Sequence, residues 1–292
     1  MDAVITYVDG LDPLWQEDYA RYVGGAALTK RFRDWGTLRY LLRGIESFMP
    51  FIDKVHLVVS RDSQVPGWVD RKNVDIVLHE DIIPAEKLPV FNSCAIEMYL
   101  HEIPGLDEQF LYFNDDMFPV RPCKAETFFR DGRPVIGYSR CWLSANMYMK
   151  QTRRSDRMAR KALGQKPCVS FVRPQHICSP MLKSECAEAA CRLKDEIDAS
   201  VTRLRTDDSL NQYLFLDYML YKGKAINERL SRKHFSLAVS TADKICRFLQ
   251  APDADLACIN DVQMSEQKYL VLRKQILEAF EGLLPGKSKF EI

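Results

Sequence analysis

Along the first 115 residues, short β-branched and aliphatic runs alternate with longer stretches whose apolar residues return every three or four positions. Ala3-Val4-Ile5-Thr6-Tyr7-Val8 and residues 55–60, 74–78 and 110–113 have the composition of buried strands. Between them, Leu38, Leu41, Leu42, Ile45 and Phe48 mark one apolar face of a helix over 35–48. A second helix is predicted over 93–103, started by Asn92 or Ser93 as cap and stopped before Pro104-Gly105. Strand, helix, strand, strand, helix, strand predicts an α/β class with a doubly wound, mostly parallel sheet. The C-terminal part reads as more helical, over 184–193, 210–221 and 267–283. The middle one is apolar nearly all round and so belongs in a core. Residues 150–166 hold seven Lys/Arg and one Asp. They form either a solvated surface segment or a basic lid over an anionic ligand. With no repeat and no Pro/Gly-rich linker, the reading is a single domain, 1–292, with approximate lobes 1–135 and 136–292.

Composition narrows the class more than it identifies it. Hydrophobic residues make up 47% of 292 positions, enough for a full core. Lys+Arg 41 against Asp+Glu 40 gives no sign of general nucleic-acid binding, so any attraction for phosphate must be local. Nine cysteines without CxxC or finger spacing read as reduced thiols. No apolar run has membrane-spanning length and the amino terminus has no signal-peptide pattern. The expectation is a cytoplasmic protein.

The sharpest chemical feature is Phe110-Leu111-Tyr112-Phe113-Asn114-Asp115-Asp116, a buried strand running into two carboxylates. Carboxylates there must be solvated, paired or cation-bound. In open α/β sheets, ligands sit at the carboxyl ends of strands. Two hard oxygen donors suit Mg²⁺ or Mn²⁺ on a phosphorylated substrate, and the plain alternative is a strand-end turn. Asp9-Gly10 ends the first strand in the same way, with Asp9 a candidate hydroxyl acceptor or a turn aspartate. The block from Arg31 to Arg43 supplies Arg33 and Arg39, whose guanidinium forks match phosphate oxygens. The alternative for the arginines of this block is surface ion pairing, such as Arg39 or Arg43 with Glu46. His176, in a loop between Pro174 and Pro180, is a candidate base or a solvated loop residue. Arg203 and Arg205 share a side if extended. Asp208 follows them.

Four blocks in this order resemble the conserved regions of the Stealth family of sugar-1-phosphate transferases. They are TYVDGLDPLW; RFRDWGTLRYLLRGIESFMPFIDKVHLVV through LYFNDDMF; PQHICSP with RLRTDDSLNQYLFLDYMLYKG; and CINDVQ through LLPGKSKFE. The resemblance implies a nucleotide-sugar-transferase-like fold and a single catalytic domain. It implies transfer of hexose-1-phosphate or N-acetylhexosamine-1-phosphate from a nucleotide-diphosphate sugar, UDP-linked by default, to a glycan hydroxyl in surface or capsular polysaccharide synthesis. A phosphodiester forms and a nucleoside monophosphate leaves. It also implies Mg²⁺ or Mn²⁺ on Asp115 and Asp116, with His176, Asp116, Arg203 and Arg205 catalytic. Asp9, Gly10, Arg33, Arg39, Asn92, Ser93 and Asp208 would bind substrate. The spacing from the arginine pair to the next aspartate is one residue shorter than the family pattern, which leaves open which arginine is essential. Implied partners are the donor and an oligo- or polysaccharide acceptor, free or lipid-linked, with peripheral association to polysaccharide assembly enzymes at the inner membrane face. Two other functions compete: a metal-dependent glycosyltransferase releasing a nucleoside diphosphate, and a non-catalytic glycan-binding protein.

Overall fold

The four expected strands form as Asp2–Thr6, Lys54–Val59, Asp75–Leu78 and Gln109–Asn114 in the computed structural model, which describes residues 1–24 and 32–292. Arg31, at the head of the arginine block, lies outside the described residues. The class is mixed α/β, with a parallel sheet and helices. The main sheet has the order Ser179–Leu182, Gln109–Asn114, Asp2–Thr6, Lys54–Val59, Asp75–Leu78. Strands after the first are therefore added on one side and then on the other. The order reverses between Asp2–Thr6 and Gln109–Asn114, which makes their carboxyl ends a topological switch point. Ser179–Leu182 closes one edge antiparallel, with Ser179 opposite Tyr112.

The chain forms two compact, interleaved units. One comprises Met1–Val4, Val77–Tyr112 and Glu126–Leu230. Its core is the buried run of helix Tyr213–Tyr221, which packs against helix Met147–Ala162 and strand Phe171–Pro174. The basic segment is therefore a helix, capped by the Asn146 side chain and buried along Gln151, Thr152, Ser155, Asp156 and Ala159. Four of its cations are tied down: Lys150 to Asp207, Arg154 to Asp208, Arg160 to Asp156 and Lys161 to Glu196. The helix expected over 93–103 is shorter, ending after Ser93–Glu97 and resuming as a 3₁₀ turn at Leu100–Glu102.

The other unit comprises Ile5–Ile76, Phe113–Ala125 and Ser231–Ile292. Helix Leu38–Phe48 buries its predicted face and lies hard against Met117–Pro119. A Cβ on Gly44 would stand 2.6 Å from the Pro119 carbonyl oxygen, so only glycine allows that approach. Arg43 is not a surface residue paired with Glu46. Its Nε and Nη2 donate to the two oxygens of Glu291 at 2.7 and 3.0 Å, and its Nη1 to Glu281 and the Leu284 carbonyl. A three-stranded sheet places Leu256–Asn260 parallel to Arg232–Ser236 and antiparallel to Met117–Pro119. Among the described residues none of the nine cysteines is in a disulfide, and no helix is long and apolar enough to cross a membrane.

Candidate active site

The Asn114-Asp115-Asp116 corner joins the switch-point strand Gln109–Asn114 to Met117–Pro119, and the neighbouring strand fixes it. The Ile259 N–H donates to the Asp116 carbonyl at 2.9 Å, and the Cys258 thiol donates to Asp116 Oδ2 at 3.5 Å. Asp116 Oδ1 is buried without a hydrogen-bond partner. Burial, with the charges of Asp116, Asp34 and Asp261, pushes the Asp115 carboxyl up to about 8. Burial also raises Asp116 to about 6, against the Cys258 hydrogen bond. Asp34 is raised by burial and by Asp9, although the Gly36 N–H, Arg273 and the Tyr7 hydroxyl oppose the shift. Five carboxylates, from Asp9, Asp34, Asp115, Asp116 and Asp261, thus crowd one end of this unit. Like charges held out of water need a counter-cation or a proton. The Asp115 and Asp116 carboxylates, one with a buried oxygen that lacks a hydrogen-bond partner, suit a hard dication such as Mg²⁺ or Mn²⁺, and the Cys258 thiol lies within reach of the same site.

Cations flank the cluster. The Arg33 Nη1 lies 3.8 Å from Asp261, its guanidinium over the Tyr269 ring at 4.4 Å. A cavity of about 540 Å³ opens between Tyr7, Asp9, Asp34, Arg39, Trp68 and Arg273. The Arg39 guanidinium rests 5.0 Å from the Trp68 ring centre. Asp9 is held by the buried Gln64 amide, which accepts from its N–H at 2.6 Å and donates to its carbonyl at 3.0 Å. The Asp9 carboxylate also accepts from the Leu11 N–H at 2.8 Å. Helix Pro13–Tyr22 is capped by Asp12, not Asp9. At Gly10 the close approach is to protein: its N–H donates to the Phe32 carbonyl at 2.8 Å, and a Cβ would sit 2.3 Å from that oxygen.

The other unit holds the remaining candidates. Arg205 donates to the Ser93 hydroxyl, while Asn92 caps helix Ser93–Glu97 and donates to the Thr202 carbonyl at 3.2 Å. Behind them Glu97 is buried, accepting from the Gln212 N–H at 2.8 Å and the Tyr112 hydroxyl at 3.4 Å. Burial lifts its carboxyl to about 7, although Arg205 and these hydrogen bonds pull down. Arg203 is exposed, and its carbonyl accepts from the Phe91 N–H at 2.9 Å. Asp208 lies on the surface, 3.2 Å from Arg154. The half-buried His176 has its Nδ1 3.4 Å from the buried Tyr213 hydroxyl, which meets the Tyr148 hydroxyl at 3.0 Å. Of the predicted residues, Asn92, Ser93 and Arg205 are brought together here. Asp9 and Arg39 share the cavity of the other unit, while Asp115, Asp116 and Arg33 share its acidic cluster.

Sequence reasoning passed over Asp34, Cys258, Asp261, Glu97 and Tyr213. A signal existed for one of them: Leu256–Asn260 is another buried strand running into Asn260-Asp261, the same pattern as Asn114-Asp115.

The fold is that of an α/β protein, and the acidic corner lies at the switch point of its sheet. Residues 31–135 match the family model described as Stealth protein CR2, conserved region 2. The chain is 31% identical to the capsular polysaccharide phosphotransferase WcwK of Streptococcus pneumoniae, over all of this chain and 99% of that protein. It is 32% identical, with the same coverage, to the receptor polysaccharide phosphotransferase WefC of Streptococcus oralis. Among solved structures, the galactosyltransferase LgtC with donor and acceptor sugar analogs is similar at 13% identity and a TM-score of 0.44, over 99% of this chain and 98% of that one. The chain belongs to the Stealth family of sugar-1-phosphate transferases.

Proposed function

We propose that this enzyme transfers hexose-1-phosphate or N-acetylhexosamine-1-phosphate from a nucleotide-diphosphate sugar, taken as UDP-linked, to a hydroxyl of a glycan acceptor. The observation that carries the reading is the buried, unpartnered Asp116 Oδ1 beside an Asp115 carboxyl pushed up to about 8. Such a corner is poised for a dication, and a dication there has a pyrophosphate as its natural companion. Full-length similarity to WcwK and WefC, named as polysaccharide phosphotransferases, supports the same class.

In this reading the acceptor oxygen attacks the sugar-bearing phosphorus and a new P–O bond forms. The bond from that phosphorus to the bridging oxygen breaks, its electron pair leaving with the nucleoside monophosphate. The sugar C1–O bond is untouched, so anomeric configuration is retained. His176 takes the acceptor proton. Tyr213 orients it: with the ring proton on Nδ1 the phenol oxygen accepts there, Nε2 is left as the basic nitrogen, and the phenol shares a hydrogen bond with the Tyr148 hydroxyl. Asp115 and Asp116 would hold Mg²⁺ or Mn²⁺, which would supply charge neutralisation to a diphosphate. Arg205 and Arg203 stabilise the transferring group, with Arg205 the essential member because its guanidinium is tied to Ser93 and acts on Glu97. Asn92, Ser93 and Asp208 serve the sugar-phosphate side. Asp9, Gly10, Arg33 and Arg39 serve the nucleotide side. The whole chain acts as one catalytic domain at the cytoplasmic face of the membrane, on a free or lipid-carried acceptor.

Identifying the leaving nucleotide tests this directly. With UDP-sugar donor, glycan acceptor and Mn²⁺, the expected product is UMP in step with a phosphodiester-linked sugar. Release of UDP would make the enzyme a glycosyltransferase. Donor and acceptor binding without turnover would make it a glycan-binding protein.

A further inference from the structure

Strands Tyr138–Cys141 and Phe171–Pro174 pair antiparallel, and Cys141 opposite Phe171 is the last rung of their ladder. Beyond that rung the two chains continue as Trp142-Leu143 and Ser170-Val169. Trp142 is 59% exposed, Leu143 81% and Val169 76%, three large apolar side chains at one end of a small sheet. Clustered exposure of this kind marks an interaction surface rather than ordinary scatter.

The chemistry around the cluster selects the partner. The Arg153 guanidinium lies 5.9 Å from the Phe171 ring centre, at the same end of the ladder. Arg157 follows one turn along the same helix. Exposed Lys166 lies three residues before Val169, and exposed Arg140 two residues before Trp142. Lys150, Arg154, Arg160 and Lys161 have carboxylate partners, whereas among the described residues Arg140, Arg153, Arg157 and Lys166 are in no ion pair. The only acid between 150 and 166, Asp156, is fully buried. A glycan would call for aromatic platforms flanked by amides and carboxylates. Two aliphatics and an indole ringed by uncompensated cations instead match the boundary between lipid headgroups and acyl chains, with the indole at the interface and the cations on anionic heads.

We infer that the Trp142-Leu143-Val169 end, with Arg140, Arg153, Arg157 and Lys166, docks the enzyme on an anionic lipid bilayer. None of these residues is given a role in the transfer, so the inference stands or falls separately from that reaction.

Flotation of the full chain with vesicles tests it, using phosphatidylcholine alone and phosphatidylcholine mixed with phosphatidylglycerol. The expected result is binding to the anionic vesicles, weakened by salt, and little to the neutral ones. Trp142→Ser with Leu143→Ser should lower the partition coefficient roughly tenfold or more, with turnover on a soluble acceptor unchanged. Arg153→Gln with Arg157→Gln should lower it by about fivefold for each charge and flatten the salt dependence. The single change Val169→Ser gives a milder loss without touching either strand pairing. Binding to neither vesicle would overturn the inference, as would binding undiminished by both double variants. So would a concentration-dependent dimer dissolved by Leu143→Ser, since the face would then belong to a second copy.

Discussion

His176 and Tyr213 share one hydrogen bond, and the proposed reaction makes different demands on each. Replacing His176 with Ala removes the proton acceptor and should lower kcat by ~10²–10⁴-fold, with donor affinity measured by calorimetry nearly intact. Tyr213→Phe keeps the ring in its buried site and removes only the oxygen at Nδ1. Its expected effect is a kcat loss of up to roughly 10²-fold from lost orientation, with KM for the donor unchanged. A rise in KM at constant kcat would show Tyr213 to be a packing residue. Glu97 offers a test in stability rather than rate. Its folded-state pKa is about 7 against an ordinary 4.5, so proton binding favours the folded state. That stability is fully present below 4.5 and is lost as pH rises through 7, by roughly 3 kcal/mol in all. Denaturant titrations of wild type and Glu97→Gln should therefore diverge between pH 5 and 8, with the variant the flatter; parallel curves would exclude the linkage. The acids differ in how far sequence reveals them. Asp115 and Asp116 stand out because a polar pair ends an apolar run. Glu97 is inconspicuous in its helix, and its importance comes from Gln212 and Tyr112, both distant in sequence.

Helix Leu38–Phe48 shows how much of an element can be read locally and where local reading stops. Its apolar stripe was legible, and the buried set Leu38, Leu41, Leu42 and Ile45 follows it. Arg43 falls between those residues and reads as solvated, yet it is 5% exposed because the C-terminal segment folds back over it. The fourth conserved block, chemically opaque as a string, supplies Glu281 and Glu291 as its partners. Breaking a buried pair from one side leaves an uncompensated charge, so Glu291→Ala should cost about 3–5 kcal/mol in chemical denaturation. A loss below 1 kcal/mol would mean that Glu281 and the Leu284 carbonyl suffice. The small sheets, such as the one containing Ile226–Asn227 and Phe129–Arg130, were not legible. Strands of two residues carry no periodicity and exist only through their partners.

At the scale of the whole molecule, the acidic corner sets function against stability. Burial of Asp115 among the charges of Asp116, Asp34 and Asp261 raises its pKa and destabilises the metal-free fold, and in the proposed reaction the same repulsion becomes attraction once a dication is present. Cation binding should therefore act as a folding ligand: at 100 times its Kd, Mn²⁺ adds about 2.7 kcal/mol. Thermal unfolding would show a higher Tm with Mn²⁺ than with a chelator. The informative comparison is with Asp115→Asn and Asp116→Asn. Measured above pH 8, where the shifted Asp115 carboxyl is ionised as well as Asp116, each removes one negative charge from the cluster while keeping side-chain size, so each should melt above wild type in chelator. Each should also lose most of the Mn²⁺ increment and the metal dependence of turnover. A binding-only role for these residues would lower the Mn²⁺ increment without raising the metal-free Tm, and a merely structural corner would lower Tm in both conditions. Only the crossing of the two curves, variant above wild type without metal and below it with metal, is consistent with a corner held in readiness for a cation-bridged diphosphate.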